Sequence, residues 1–514
     1  MYLWSPVNLG ELCEYWAVWR PQAPAIRTRE TTMKWSELED RTARIAGGLN
    51  ALGTCHGDRI GIYAANSLAW CELALAALRI GAIVVPLNLR FTSSELLPVV
   101  NDAQLSCIAY DSARAERYAP LAADRPDIVQ ISLDNAAPPE LSVDTLAASP
   151  RAGTPGRVAA DDVAIISFTS GTTGKPKGAM LTHANILAHV TQWSRANDWT
   201  TSTALLCCLP LAFTGGIVNN FLGAYGVGGT LVLEDAFEPA RALELITSVP
   251  VTAMTGVPVM FEQIASAPGF DEADLSHLTT AVTGGATVSE ALLRAYQAKG
   301  VMIRQAYALT EASGSVCMLP RELAIQRPDS AGLPNVHTAV RIADDHGVEL
   351  PAGEIGEIQV KGPQVCVGYW RDPEATAASR VDGWLRTGDI GYKGHDGLLQ
   401  VVDRKNDKII SGGLNLYPAE IEKVISDYPG VAEIAAFGVP HERWGETVAI
   451  VVGSSEVEFD GLLSYCRTVL ADYKRPRYIQ IRSEPLPRSG NGKILRRTLR
   501  EEFDAAEYMR TSST

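Results

Sequence analysis

No stretch of this 514-residue chain is both long and apolar enough to suggest a membrane span. The most apolar segment, 70–87, is interrupted by Glu72, Arg79 and Gly81 and reads as a helix followed by a strand. The first six residues lack the basic region and apolar run of a signal peptide, so the cytoplasm is the expected compartment. Cysteine pairing is missing too. Nine cysteines are scattered without metal-type spacing, and an odd count fits buried free thiols in a reducing compartment. Cys207 and Cys208 are adjacent but lie in an apolar run, 204–211, expected as a buried strand. Excess positive charge is absent as well. A net charge of −14 excludes nucleic acid and anionic membrane as broad electrostatic partners, while leaving room for a local cationic site. No short internal repeat is present. What remains, 46% hydrophobic and 20% charged residues, is the composition of a globular protein with a large core.

The expected fold class is α/β. Strand-like 59–64, helical 67–80 and strand-like 82–86 alternate in the manner of a mostly parallel sheet covered on both faces. Ser36 and Glu39 read as a capping box opening a helix that stops at Gly53. Residues 136–162, rich in Ala, Pro, Ser and Asp, read as a surface connection. The pattern resumes with strands at 204–211, 230–233, 252–257 and 279–282, and a helix at 239–248. The period-two run 354–360 predicts a half-exposed antiparallel strand, and 391–408 predicts a polar connector with a hairpin signal at Asp396-Gly397. A compact α+β unit is expected from 418 onward. The division that follows is a large domain over 1–405 and a smaller one over 406–514.

One stretch stands out. An apolar β-like run, 163–168, ends in Thr169, Ser170, Gly171, Thr172, Thr173, Gly174, Lys175, Pro176, Lys177 and Gly178. Glycines free the backbone to point successive N–H groups into one concavity, hydroxyls add donors and lysines add charge, which suits a polyphosphate. It is not a Walker A loop, because Pro176 follows Lys175 where that motif needs Ser or Thr. Alone, the loop equally fits a solvated turn. Tyr307, Thr310 and Glu311 gather an aromatic for a base, a hydroxyl for a phosphate and a hard ligand for Mg²⁺, or simply end a strand. Asp389 follows a tight turn, where a carboxylate can accept ribose hydroxyls or close an Asx turn. Arg404 with Ser411, Gly412 and Gly413, and the basic turn carrying Lys493, complete the set; each also reads as a charged or flexible linker.

In this order and spacing the motifs resemble the adenylate-forming superfamily of acyl-CoA synthetases, luciferases and peptide-synthetase adenylation domains, over essentially the whole chain. The resemblance implies a large N-terminal domain of layered, mostly parallel sheets with an antiparallel sub-barrel, and a small mobile α+β C-terminal domain. It implies an ATP-dependent acyl-CoA ligase, with ATP, Mg²⁺ and coenzyme A, that makes an acyl-adenylate and then transfers the acyl group to the thiol. By the same resemblance, residues 169–174 and Lys177 would hold the phosphates, with Gly285, Ala286, Tyr307, Asp389 and Arg404 completing the nucleotide site. Thr310 would bond the α-phosphate, Glu311 hold the metal, and Lys493 reach the reacting carboxylate. Asn406 would be the hinge, a position where relatives carry Asp or Lys. Ser411, Gly412, Gly413, Trp444, Tyr473 and Arg475 would meet CoA. The alternative is a stand-alone enzyme loading a carrier protein. Oligomeric state is left open.

The acyl wall is expected from Phe213, Val257, Met260, Gly284, Ala306 and Ala308, all small or apolar. Phe213 stands where relatives often carry His. No acidic residue lies between 210 and 229, which disfavours an amino acid, and an apolar wall disfavours a second carboxylate. A medium-chain fatty, aromatic or alicyclic acid is the expected substrate.

Overall fold

The structure is a computed structural model, and it describes residues 8–134, 141–152, 158–169, 176–285, 288–405, 407–411, 414–441, 443–488 and 493–504. These residues form two compact units, one of Met1–Val340 with Val360–Leu385, the other of Arg341–Gln359 with Arg386–Thr514.

The first unit holds two sheets. One orders its strands Val129–Ser132, Cys107–Tyr110, Arg59–Tyr63, Ile83–Pro86, Val163–Thr169 and Lys177–Thr182; all neighbours are parallel except the last pair. The other has nine strands, with parallel neighbours from Ile303–Leu309 through Thr280–Gly284, Ala253–Gly256, Ala204–Cys207 and Thr230–Leu233 to Pro24–Arg27. Short antiparallel strands close both ends of that run. Helix Leu68–Arg79 is buried almost all round, which its unbroken apolar run demands. A single core cluster unites it with Trp35, Trp193 and strand residues of both sheets, such as Ile62 and Leu205.

The second unit begins with a sheet built on Ala339–Ala343, Gly356–Lys361, Trp384–Lys393 and Leu399–Arg404. A second sheet follows, ordered Leu414–Leu416, Ile409–Ser411, Gly445–Gly453 and Glu433–His441, with Tyr478–Arg482 parallel to Gly445–Gly453. Helices Pro418–Ser426 and Phe459–Val469 cover one face, and helix Arg496–Glu502 sits on the other. Large parallel α/β layers, an antiparallel half-barrel and a small α+β part are the expected fold class.

Several local expectations are corrected. The predicted capping box at Ser36 and Glu39 does not form: the helix is Trp35–Ala51, and Glu37 accepts the Lys34 N–H at 2.9 Å. Glu39 is taken instead by Arg151 at 2.7 Å and Arg79 at 3.3 Å. The expected connector 391–408 contains the strand Leu399–Arg404, in which Leu399, Gln400 and Val401 pair with Lys393, Tyr392 and Gly391 at the end of Trp384–Lys393. The strand Gly356–Lys361 is not half exposed. Glu357 and Gln359 are buried because Lys405 pairs with the first at 3.3 Å and Arg341 donates to the second at 2.9 Å. The strand expected over 204–211 stops at Cys207, and the connection 136–162 carries the helix Val143–Ala147. All nine cysteines are free, and all but Cys55 are buried.

Candidate active site

In the first unit, Val163–Thr169 and Lys177–Thr182 form an antiparallel pair with Thr169 opposite Lys177. The Thr169 hydroxyl closes the pair by donating to the Lys177 carbonyl at 3.4 Å. Ser170, Gly171, Thr172, Thr173 and Gly174 lie outside the described residues. A segment that sequence reasoning passed over, 366–370, is stitched to this pair: Met180 N donates to Gly368 O at 2.9 Å and Trp370 N to Gly178 O at 2.7 Å. Cys366 N donates to Glu311 O at 2.7 Å, which ties the same segment to the Thr310–Ala312 turn. Tyr369 then bridges the two motifs. Its phenol donates to Glu311 Oε1 at 3.0 Å, and the Lys177 ammonium lies 5.5 Å from its ring centroid. Burial first, and the Glu311 charge second, raise the Tyr369 pKa, so the phenol stays a donor. No spacing rule marks this tyrosine; only a Gly-Tyr-Trp sequence in an unassigned loop does.

Thr310 follows the strand Ile303–Leu309. The turn ends with Ser313 at φ 58°, and its hydroxyl donates to Gln364 O at 2.8 Å. The Thr214 hydroxyl donates to that of Thr310 at 3.3 Å, and Ser167 lies 3.1 Å from Thr214. Tyr307 is buried on the same strand as Ala306 and Ala308, the last of these exposed. Gly284 pairs with Ala306 on the neighbouring strand, and a Cβ there would stand 2.6 Å from the Ala306 carbonyl. Gly285 follows with φ +85°, a conformation that favours glycine; Ala286 is outside the described residues. Phe213 is half-buried beside the π-helix Gly215–Leu222. Val257 caps helix Pro258–Ala265 and is partly exposed, whereas Met260 sits in a core cluster at 5% exposure. Asn66 was also missed. It holds the segment leading to Phe213 by donating to Leu209 O and Glu234 O, each at 3.0 Å, and accepting Leu211 N at 2.8 Å.

In the second unit, Asp389 and Arg404 are cross-strand partners. The buried Asp389 carboxylate accepts Arg404 Nε at 2.9 Å. Gly388, at φ +72°, lets the turn place Asp389, with Thr387 donating to Ile358 O at 2.7 Å. Lys493 is close enough to feel both charges. As a residue it reaches solvent, yet desolvation of the ammonium lowers its pKa, Arg404 lowers it further, and Asp389 opposes them. Three residues on, Arg496 pairs with Asp403 at 3.4 Å and Asp407 at 3.1 Å, and Nε donates to Glu422 at 2.9 Å. Asp403 also accepts Arg404 N and Ala419 N, each at 2.7 Å, so one buried carboxylate links the Arg404 strand to the Lys493 turn. Burial raises the Asp403 pKa against the pull of Arg496.

Asn406, Gly412 and Gly413 lie outside the described residues, and Ser411 ends a strand paired with Leu414. Trp444 is half-buried with the Arg443 guanidinium 4.6 Å from its ring. Tyr473 is 48% exposed, with the Lys474 ammonium 5.7 Å from its ring centroid. Arg475 spends its donors locally, on Leu470 O at 3.0 Å, Arg467 O at 2.9 Å and Asp472 at 3.2 Å.

Among the described residues, no group of three or more His, Cys, Asp or Glu could hold a metal, and no helix is long and apolar enough to cross a membrane. Residues 13–370 match the AMP-binding enzyme family, and 420–493 match the AMP-binding enzyme C-terminal domain. A feruloyl-CoA synthase of Amycolatopsis is 39% identical, with 94% of this chain and 96% of that one covered. A long-chain-fatty-acid–CoA ligase of Mycobacterium tuberculosis is 34% identical, with 97% and 99% covered. The structure of o-succinylbenzoate CoA synthetase from Bacillus subtilis, in complex with its acyl-adenylate intermediate, superposes with a TM-score of 0.85 at 29% identity, covering 95% and 97%.

Proposed function

The chain belongs to the AMP-binding enzyme family, in its acyl-CoA ligase branch, and from that premise we propose how its residues divide the two steps of an acid–thiol ligase and which acid it takes. The enzyme joins a carboxylic acid to CoA with ATP, through an acyl-adenylate. The carrier-protein alternative draws no support from these relatives.

A carboxylate is a poor electrophile because its leaving oxygen is strongly basic. Joining it to AMP supplies a good leaving group. That first step brings two anions together, so catalysis rests on charge neutralisation and in-line placement. The observation that carries our assignment is the Lys177–Tyr369–Glu311 bridge, which sets a cation and a carboxylate on either side of one phenol at the end of the hydroxyl-rich hairpin. Lys177 neutralises the departing pyrophosphate, and Thr310 donates to the α-phosphate. Tyr307 and Asp389 hold the adenosine, with Arg404 assisting at the ribose. Lys493, kept below the usual lysine range, neutralises the attacking carboxylate.

Mg²⁺ fits Glu311: one oxygen is engaged by Tyr369, no Lys or Arg ion pair competes for the other among the described residues, and this ion needs only one or two carboxylates beside substrate phosphates. When bound, it screens the triphosphate charge. Smaller residues at 284, 306 and 308, with Phe213, suit an aromatic or medium-chain acid, in keeping with an aromatic and a fatty acid in the relatives' names. Rotation of residues 406–514 about Asn406 between the two steps and action in the cytoplasm belong to the same proposal.

A panel of aromatic, fatty and alicyclic acids, assayed for pyrophosphate release with and without CoA, tests this. The expected result is CoA-dependent turnover and an acyl-CoA product with an aromatic or medium-chain acid. Pyrophosphate and AMP release that CoA does not accelerate, with no acyl-CoA formed, would overturn it.

A further inference from the structure

Three hydroxyls from three separate segments meet inside the first unit: Ser167 on Val163–Thr169, Thr214 just before the π-helix, and Thr310 after Ile303–Leu309. Ser167 and Thr214 are 5% and 7% exposed. Each hydroxyl owns one hydrogen. Thr214 gives its hydrogen to Thr310 at 3.3 Å, so the 3.1 Å contact with Ser167 has to be made by the serine hydrogen. The order of the chain is therefore fixed in one direction. Ser167 donates to Thr214, Thr214 donates to Thr310, and the Thr310 hydrogen has no acceptor among the described residues.

We propose that Thr214 and Ser167 are positioning residues for adenylation, which turn the Thr310 hydroxyl so that its hydrogen is presented to the α-phosphate. The inference rests on the reading of Thr310 given above. An isolated threonine hydroxyl rotates among three wells and accepts as readily as it donates. Filling its lone pair from Thr214 removes the orientations that would face an oxyanion with oxygen. A chain of donors also polarises its last member, making Thr310 a stronger donor. Both contacts exceed the usual O–H···O spacing, as is common before a ligand tightens a site. Thr214 adjoins Phe213, so the relay also carries the seating of the acyl loop to the phosphate ligand.

The experiment compares Thr214→Val, Thr214→Ser, Ser167→Ala, Thr310→Val and the double variant Thr214→Val/Thr310→Val, using the best acid of the panel. Pyrophosphate–ATP exchange reads adenylation, thiolysis of supplied acyl-adenylate reads the second step, and melting temperature reads folding. Thr310→Val is expected to slow exchange roughly 10²-fold, as loss of one transition-state donor does. Thr214→Val should slow it about tenfold, the scale of one hydrogen bond, and leave thiolysis unchanged. Thr214→Ser should restore exchange, Ser167→Ala should fall between, and the double variant should match Thr310→Val alone. Independent, multiplying losses in the double variant, or no rescue by serine in a stably folded protein, would overturn the relay alone. If Thr310→Val exchanges at the wild-type rate, the reading of Thr310 falls and the relay with it.

Discussion

The residue scale is where charge decides most. Lys177 owes its place to the Tyr369 ring, 5.5 Å away, and to its position opposite Thr169. Lys177→Ala removes the positive charge without opening a core, so we expect adenylation to slow roughly 10²-fold and thiolysis of supplied adenylate to change little. Equal slowing of both steps, measured by single turnover, would mark the lysine as structural. His189 shows the opposite use of a titratable side chain. It is fully buried, it contacts Asn219 Oδ1 through Nε2 at 2.9 Å, and Nδ1 has no partner among the described residues. Burial pushes its pKa down to about 4, and that of His183 likewise. Because the unfolded chain protonates first, at about 6.5, the stability owed to neutral histidine is present above that pH. It is lost as pH falls toward about 4. The melting temperature should drop across that window, and His189→Gln should remove about half of the slope, the other half being left to His183. A slope unchanged in the variant would refute the assignment.

At the scale of elements, the sequence already exposes the periodic parts. Val163–Thr169, Leu68–Arg79 and Pro239–Ser248 were all visible, because local periodicity is short-range. Leu399–Arg404 was hidden because it buries two polar residues, Gln400 and Asp403, the latter against Arg496 far along the chain. The half-exposure expected at 354–360 failed for the same reason, since Lys405 pairs with Glu357 and Arg341 donates to Gln359 Oε1. The motif residues were legible individually, but Tyr369, Thr214 and Arg496 stand out only through the contacts that the fold brings to them. Asn66 belongs to this class. One amide ties the ends of two strands to the loop bearing Phe213. Asn66→Ala leaves buried backbone groups unpaired, at about 1–3 kcal/mol for each. We expect a lower melting temperature and a several-fold rise in the KM for the acid, with the KM for ATP nearly constant. A parallel rise in both constants would mean that the whole unit has loosened rather than the acyl loop.

At the scale of the whole molecule, the proposed two steps need an arrangement each, and the second unit carries an ion-pair group on which that alternation can be tested. Arg496 joins Asp403 and Asp407 to Glu422, which places charges on both sides of Asn406 under one guanidinium. Lys493, in the same turn, then feels Arg404 and Asp389. On the role proposed for Lys493 in adenylation, a rotation about Asn406 would have to break the Arg496–Asp403 contact. Arg496→Gln should therefore weaken the adenylating arrangement selectively. We expect pyrophosphate exchange to fall about tenfold, and thiolysis of supplied adenylate to hold steady or rise, because the loss is felt only where the ion pair is formed. Lys493→Ala provides the reference, with exchange reduced ~10²–10³-fold and thiolysis spared. If Arg496→Gln slows thiolysis as much as exchange while the melting temperature holds, the guanidinium serves both arrangements. The link between the Asp403 anchor and the alternation of steps is then wrong.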